Sequence, residues 1–273
     1  MSAQLARLID ERKAISKLSK IGLHPTRTVL FTGPPGVGKT MAARHIAAAL
    51  KRPLLTLDLA TSVSSFLGRT GNNLKQAFEF ARSQPCVLFL DELDAVAKRR
   101  DDDGDIGELK RLVTVILQEL DLWPSDNLLI SATNHGQLLD AAVWRRFETI
   151  IDFPRPERDE LVRLSSATSM KGDPLPKAWS SLLTILLSGT SQSEFVKQVD
   201  RLRRAIVIGG SESGEQVLSE LVFERSDKLS KAEKKELAVS LVKDANLTQR
   251  SVNRLTGIAR ETLRTALAGG KNG

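Results

Sequence analysis

The sequence predicts an α/β protein with a mainly parallel sheet, followed by a region made only of helices. Two observations lead to this prediction. Short apolar runs that favour β-strands alternate with helical patterns through the first 153 residues, and this alternation is typical of parallel strands joined by helices. Beyond Pro154 and Pro156 the helical patterns continue, but no strand pattern recurs.

Five runs rich in apolar and β-branched residues predict strands, at residues 28–32, 54–59, 86–90, 128–130 and 149–153. Apolar residues at helical spacing predict helices between them, at residues 41–50, 72–82 and 108–120. The C-terminal helices are predicted at residues 157–169, 177–187, 192–208 and 215–223. We therefore expect a large α/β subdomain at 1–156, a smaller all-helical lid at 157–226 and a short C-terminal helical module at 227–273.

The composition is that of a globular protein, with 41% hydrophobic and 27% charged residues. The single cysteine, Cys86, excludes an internal disulfide and fits a reducing compartment. No apolar run is long enough to span a bilayer, so we expect a cytoplasmic protein with no membrane partner. The net charge is +7, and residues 230–273 hold nine lysines and arginines against four acidic residues. This local excess fits either an acidic partner such as nucleic acid or a solvated helical surface.

Residues 33–40 carry the motif G-x-x-x-x-G-K-[ST], the Walker A pattern, between a predicted strand and a predicted helix. Its glycines let backbone N–H groups converge on phosphate oxygens, and the following helix directs its positive end to the same point. In this motif the lysine, Lys39, neutralises the β- and γ-phosphates, and Thr40 holds Mg²⁺. The predicted nucleotide-binding residues are Gly33, Pro34, Pro35, Gly36, Val37, Gly38, Lys39, Thr40 and Met41.

Two acidic residues, Asp91 and Glu92, end the apolar run at 86–90. Parallel strands deliver the residues that follow them to one edge of the sheet, so we expect both carboxylates beside the phosphate-binding loop. Asp91 is predicted to bind the Mg²⁺ that accompanies the nucleotide. Glu92 is predicted to polarise the attacking water as a general base.

These motifs, together with two others, resemble those of AAA+ ATPases, P-loop NTPases of the AAA clade that includes protein-remodelling motors of the katanin and spastin kind. Residues 131–134 (Ser-Ala-Thr-Asn) resemble sensor 1, and residues 139–147 resemble the clade's second region of homology. The resemblance implies ATP and Mg²⁺, and a role for Asn134 at the γ-phosphate. It also implies that Arg145 and Arg146 reach the nucleotide of a neighbouring subunit, which requires a homo-oligomeric ring, by resemblance a hexamer.

The sequence departs from this family in two places. Leu122 and Trp123 follow Asp121 where the family often has Gly-Phe, an element that signals between subunits. No arginine matches sensor 2, and residues 188–191 (Ser-Gly-Thr-Ser) instead resemble the glycine-containing start of a lid helix in this clade. That resemblance implies a place for Gly189 near the adenine.

Residues 64–71 contain an apolar pair in a predicted loop. In AAA motors this position is pore loop 1, so by resemblance Phe66 and Leu67 grip a substrate in the central channel while Gly68 permits the turn. The alternative is that Phe66 packs beneath its own loop. Residues 98–108 are expected to form a second pore-facing loop.

Residues 248–264 resemble a helix-turn-helix, with Gly257 in the turn and Ile258 and Leu263 in its core. Asn253 stands where this motif usually has a small alanine. The alternative is a three-helix cap that packs on the lid or binds another protein. In a helix-turn-helix, the residues that contact DNA phosphates or guanines would be Arg250, Arg254, Arg260 and Arg264.

The sequence therefore predicts an ATP-hydrolysing ring motor that remodels or unfolds a protein client through a central pore. Because only residues 1–27 precede the first strand, we expect the C-terminal module or a partner protein to choose the client. The alternative function is a DNA-associated ATPase switch that assembles on DNA through the helix-turn-helix. Glu92 and the arginine pair argue against a third function, an adaptor that binds nucleotide only for assembly.

Overall fold

The computed structural model describes residues 2–61, 70–97, 106–169 and 171–269. They divide into two compact units, Met1–Pro154 and Arg155–Gly273. The elements of the first unit are α1 (Ser2–Lys13), α2 (Ile15–Ser19), β1 (Thr28–Thr32), α3 (Lys39–Ala49), β2 (Leu54–Asp58), α4 (Thr70–Arg82), β3 (Val87–Asp91), α5 (Asp94–Ala97), α6 (Ile106–Asp121), β4 (Leu128–Thr133), α7 (Ala141–Trp144) and β5 (Thr149–Asp152). The five strands are parallel and lie in the order β2-β3-β4-β1-β5. The predicted class, a parallel sheet core followed by a helical region, is confirmed.

Helices cover both faces of this sheet, because alternate residues of a strand point to opposite sides. Val29 and Phe31 of β1 belong to the same hydrophobic cluster as Ile46 of α3. Leu30, between them, belongs to the cluster of Phe78 on α4. All of β1 is buried, as expected of a central strand between two helical layers.

The described residues of the second unit form helices joined by loops, and one hydrophobic cluster includes residues of all the helices named next. Its helices are α8 (Arg158–Thr168), α9 (Lys177–Leu186), α10 (Gln192–Arg225), α11 (Lys231–Lys243), α12 (Gln249–Thr256) and α13 (Arg260–Gly269). Leu161 of α8 and Leu263 of α13 share this core, which therefore includes both the expected lid and the expected C-terminal module. The boundary between them at residue 226 stays a prediction. Among the described helices, none is long and apolar enough to cross a membrane.

The long helix α10 is a hairpin of two helical segments. Gly210 interrupts it with φ 74° and ψ −171°, a backbone conformation that is essentially restricted to glycine. The two segments then run antiparallel, because Glu194 pairs with Arg225 (2.9 Å) and Arg201 pairs with Glu220 (2.8 Å) across the hairpin.

Candidate active site

The phosphate-binding motif forms the connection between β1 and α3. It starts at Gly33, whose φ is 140°, and a Cβ atom built there would lie 2.1 Å from the backbone oxygen of Phe153. Only glycine therefore fits at the point where this loop passes the end of β5. Farther along the loop, Val37 is buried in the core beneath α3. Between β1 and α3 also lie Pro34, Pro35, Gly36 and Gly38.

The ammonium group of Lys39 is buried at the start of α3, and the whole residue is only 7% exposed. Its Nζ donates to the backbone oxygens of Gly33 (2.6 Å) and Pro34 (3.0 Å) and to Oδ1 of Asn134 (2.8 Å). Burial lowers the pKa of Lys39, and the charges of Asp91 and Asp94 oppose that shift. Within the described residues Lys39 forms no ion pair, so this buried cation is held by neutral oxygens and suits an anionic ligand.

Thr40 and Asp91 lie together beside this lysine. The Thr40 Oγ1 donates to Oδ2 of Asp91 at 3.4 Å, which connects the first turn of α3 to the end of β3. A hydroxyl and a carboxylate are oxygen ligands that fit Mg²⁺, which is usually held by one or two carboxylates together with substrate phosphates. In the described ranges, no cluster of three or more His, Cys, Asp or Glu could hold a metal by itself.

Glu92 follows Asp91 with an unusual backbone conformation. Its φ is +57°, which costs a non-glycine residue about 1–3 kcal/mol and recurs at functional sites. Its backbone N–H donates to Oδ1 of Asp91 at 3.0 Å, while its side chain is exposed. The strained turn therefore fixes Asp91 and leaves the Glu92 carboxylate accessible to solvent.

A third carboxylate, Asp94, belongs to this site and was missed by the sequence analysis. It begins α5 and is 7% exposed. Its Oδ1 accepts from Oγ1 of Thr133 (3.0 Å) and from the backbone N–H of Asn134 (3.2 Å). Asp94 thereby holds the end of β4 in the conformation that points the Asn134 amide oxygen at Lys39. Its place just after β3 is the signal that could have found it, since Asp91 and Glu92 were found by the same reasoning.

Arg145 and Arg146 follow the short helix α7, and both side chains are exposed. Asp140 caps this helix by accepting from the backbone N–H of Ala142 at 2.8 Å. The backbone oxygen of Arg146 accepts from Oγ1 of Thr28 at 2.9 Å, which anchors the arginines to β1. Arg145 forms no ion pair with any described residue.

The family comparison agrees with this geometry. Residues 29–155 match the family described as "ATPase family associated with various cellular activities (AAA)". We refer to this matching segment as the AAA domain. It holds the phosphate-binding loop, the three carboxylates, Asn134 and the arginine pair.

Relatives of the AAA domain include an uncharacterized AAA family ATPase of Sinorhizobium fredii, 46% identical over 150 residues, which are 55% of this chain and 46% of that protein. The 26S protease regulatory subunit 6A of Caenorhabditis elegans is 37% identical over 158 residues, 55% of this chain and 37% of that protein. The proteasome-activating nucleotidase of Aeropyrum pernix is 38% identical over 144 residues, 50% of this chain and 35% of that protein. The chain spans less than half the length of these relatives.

The other predicted site residues are Met41, Gly189 and the pore residues. Met41 projects from α3 of the AAA domain and is 65% exposed. Gly189 belongs to the second unit, where its φ is 71° and its backbone oxygen accepts from Nη1 of Arg155 at 2.9 Å. The pore residues Phe66, Leu67 and Gly68 lie outside the described residues. So does most of the expected second pore loop, at 98–105.

The segment with the helix-turn-helix pattern forms α12 and α13 of the second unit. Gly257 ends α12 in the left-handed conformation, with φ 71°. The Asn253 side chain donates to the backbone oxygen of Ile258 at 2.7 Å across this turn, and Leu263 is fully buried. No ion pair in the described part of the chain involves the exposed arginines Arg250, Arg254, Arg260 and Arg264.

Proposed function

We propose that the AAA domain hydrolyses ATP with Mg²⁺, and that a homo-oligomeric ring of this chain uses the energy to remodel or unfold a protein client through a central pore. The observation that carries the proposal is the buried Lys39 ammonium beside Asn134, Thr40 and Asp91. A cation that is held by neutral oxygens gains most from an anionic ligand, because charge-assisted hydrogen bonds are the stronger ones.

The proposed chemistry divides the work among the residues of this cluster. Lys39 binds the β- and γ-phosphates together with the backbone N–H groups of the loop, and Asn134 orients that lysine and the γ-phosphate. Thr40 and Asp91 hold Mg²⁺, which when bound neutralises charge on the phosphates. Glu92 accepts a proton from the attacking water, and its exposed carboxylate is free to do so.

The arginines extend this proposal to an oligomer. Charge that develops on the transferred phosphoryl group is stabilised by an arginine from another subunit in many ATPases, and Arg145 is exposed and without an ion pair among the described residues. By family resemblance we propose a hexameric ring and a motor of the katanin and spastin kind. Gly189 is proposed to lie near the adenine of the same nucleotide.

The names of the relatives favour a protein as the client of this motor. Two of them are named as a protease regulatory subunit and a proteasome-activating nucleotidase. By the same resemblance, Phe66 and Leu67 are proposed to grip the client, because an aromatic-aliphatic pair can contact polypeptide without reading its sequence, while Gly68 permits the turn. We propose a cytoplasmic location for this motor.

The test is steady-state ATP turnover of the chain alone, with an unfolded polypeptide and with duplex DNA. Stimulation by polypeptide is expected. Glu92→Gln is expected to retain ATP binding and to lower turnover by about 10²–10⁴-fold, the usual contribution of a general base. Glu79→Gln, at an exposed glutamate of α4, is the matched control. Unchanged turnover in Glu92→Gln would remove Glu92 from the mechanism.

A DNA-associated ATPase switch is the second candidate, because the four arginines of α12 and α13 are exposed and unpaired among the described residues. Each phosphate contact that is lost is expected to reduce the slope of log affinity against log salt by about 0.9. Arg260→Gln and Arg264→Gln should show this reduction, whereas Arg204→Gln, an exposed arginine of α10, should not. Point substitutions suit this test better than deletion, since Leu263 lies in the shared core. Salt-independent or unchanged binding rejects the candidate.

A further inference from the structure

A cavity of about 180 Å³ lies at the tip of the α10 hairpin in the helical unit. Its walls come from the segment before α9, the hairpin tip and the end of α11. We call it the tip cavity and define it by Trp179, Ile206, Glu215 and Asp244 among its lining residues. That volume is enough for several water molecules. It is smaller than the ~300–1,000 Å³ of drug-sized pockets and suits a single side chain.

Three side-chain polar groups of the tip cavity have no hydrogen-bond partner among the described residues. Trp179 is only 5% exposed, and its indole N–H donates to no described residue and is not among the polar atoms that are sealed from solvent. The carboxylates of Glu215 and Asp244 form no hydrogen bond or ion pair with the rest of the described chain. None of the described residues that line the cavity is a lysine, arginine or histidine, so the charge of its described lining is negative.

The chain that follows Ile206 of the tip cavity carries exposed apolar residues. Val207 and Ile208, directly after Ile206, are 72% and 86% exposed, which is high for large hydrophobic residues. A Cβ atom at Gly214 would lie 2.5 Å from Cγ1 of Ile206 and 3.5 Å from Cη2 of Trp179. Gly214 therefore lets the two segments of the hairpin close tightly over Trp179.

We propose that the tip cavity binds an arginine side chain from a segment of a partner protein, with the apolar neighbours of that arginine against Val207 and Ile208. A guanidinium donates to carboxylates in a forked geometry, which suits Glu215 and Asp244 as its acceptors. A backbone carbonyl of the bound segment accepts from the Trp179 N–H. Nucleic acid is disfavoured as the occupant because two carboxylates would repel its phosphates. The inference uses none of the nucleotide-site residues and stands independently of ATP hydrolysis.

The experiment follows the indole N–H resonances of the full chain by NMR during titration with the tripeptide N-acetyl-Leu-Arg-Leu-amide. The chain has three tryptophans, and Trp179→Phe assigns the resonance at the cavity. We expect a saturable shift of that resonance alone, while the fully buried Trp123 serves as the internal control for folding. The same peptide with citrulline, a neutral isostere of arginine, is expected to bind at least about tenfold more weakly, or about 1.4 kcal/mol.

Variants of the cavity complete the test. Asp244→Asn and Glu215→Gln remove charge without changing size, and each is expected to weaken the arginine peptide by about tenfold. Glu212→Gln, at an exposed tip residue that does not line the cavity, is expected to bind as the unmodified chain does. Equal binding of the citrulline peptide, charge variants without effect or the absence of a saturable shift would overturn the proposal. Saturable movement of the Trp179 resonance by duplex DNA in place of the peptide would also overturn it.

Discussion

Asp121 holds Arg146 within the same chain. Arg146 Nε lies 2.8 Å from Oδ1 and 3.0 Å from Oδ2 of Asp121. The two side chains are 38% and 52% exposed, and exposed pairs contribute only about 0–1 kcal/mol to stability. The main effect of the pair is therefore to fix the orientation of the Arg146 side chain, and its contribution to the stability of the fold is small. Arg145 has no such partner among the described residues, so the two adjacent arginines are not equivalent.

This difference predicts unequal effects of substituting the two arginines. Arg145→Ala is expected to lower ATP turnover by about 10³–10⁵-fold, the contribution of an arginine supplied by another subunit, because its guanidinium is free to leave its own chain. Arg146→Ala is expected to lower ATP turnover less than Arg145→Ala does. Asp121→Asn is expected to lower turnover by the same factor as Arg146→Ala. Steady-state turnover and ATP binding of the three variants measure the difference, and a larger loss in Arg146→Ala would contradict it.

Mixed oligomers separate a contribution in trans from one in cis. Arg145→Ala and Glu92→Gln chains are each expected to be inactive alone. In a mixed ring, an intact Glu92 on one chain faces an intact Arg145 on its neighbour, so turnover is expected to return. The absence of any recovery across mixing ratios would show that Arg145 does not act on a neighbouring site.

Replacing Gly33 with alanine is expected to cause a local packing defect. A methyl group at this position meets the backbone oxygen of Phe153 at 2.1 Å, and backbone cannot yield as a side chain does. Gly33→Ala is therefore expected to lower the free energy of unfolding by about 1–3 kcal/mol and to weaken nucleotide binding. Gly71→Ala is the control, because no described atom lies within 4 Å of its Cβ position and helical alanine is favoured by up to about 1 kcal/mol. Chemical denaturation and nucleotide titration test both variants, and equal stabilities would contradict the packing argument.

The contacts of Asp94 predict that the position of the Asn134 side-chain amide depends on the buried Asp94 carboxylate. Asp94→Ala leaves the Thr133 hydroxyl and the Asn134 N–H without their partner, which costs about 1–3 kcal/mol when the groups remain buried. We expect a loss of turnover beyond the loss of stability, because Asn134 is released from Lys39. Asp94→Asn keeps an acceptor oxygen and is expected to retain more turnover. If both variants lose stability but keep kcat and KM for ATP, Asp94 has only a structural role.

Much of the candidate site follows from the sequence, because the residues that follow parallel strands meet at one edge of the sheet. Asp91 follows β3, Asn134 follows β4 and the phosphate-binding loop follows β1. Apolar patterns do not reveal the order of strands, however. The observed order places β4 between β3 and β1, and this position brings Asn134 Oδ1 to 2.8 Å from Lys39 Nζ.

Contacts between distant residues account for what the sequence did not predict. In the sequence, nothing distinguishes Asp94 from a solvent-exposed acidic residue. In the structure it is buried, and it accepts hydrogen bonds from Thr133 and Asn134 at the end of β4. The Asp121–Arg146 pair could not be predicted from the sequence either, since 25 positions separate its members. In α10 the apolar spacing predicts two helices, and the glycines between them mark a break. The antiparallel return at Gly210 places Val199 of the first segment and Leu221 of the second in one hydrophobic core, which the spacing within either segment does not reveal.

The acid sensitivity of the helical unit is expected to depend on Asp173 and Arg203. Hydrogen bonds from Arg203 lower the pKa of Asp173, and the two side chains are only 10% and 16% exposed. Because the folded-state pKa lies below the unfolded value of about 3.9, this stabilisation is fully present above that value. It is lost as the pH falls through the folded pKa. Asp173→Asn is therefore expected to be about 1–3 kcal/mol less stable at pH 7 and to lose less stability on acidification.

Denaturant unfolding of the full chain between pH 7 and pH 3, followed by helix signal, measures this difference. Asp159→Asn, at an exposed aspartate in the first turn of α8, is the control. Its stability is expected to follow the unmodified chain, because no described ion pair links it to a base. The Asp173→Asn curve should instead approach that of the unmodified chain at low pH, where Asp173 is protonated and its bond to Arg203 no longer carries charge. Parallel curves for the unmodified chain and Asp173→Asn would mean that the carboxylate is not linked to folding, and the geometry of the pair would then contribute packing alone.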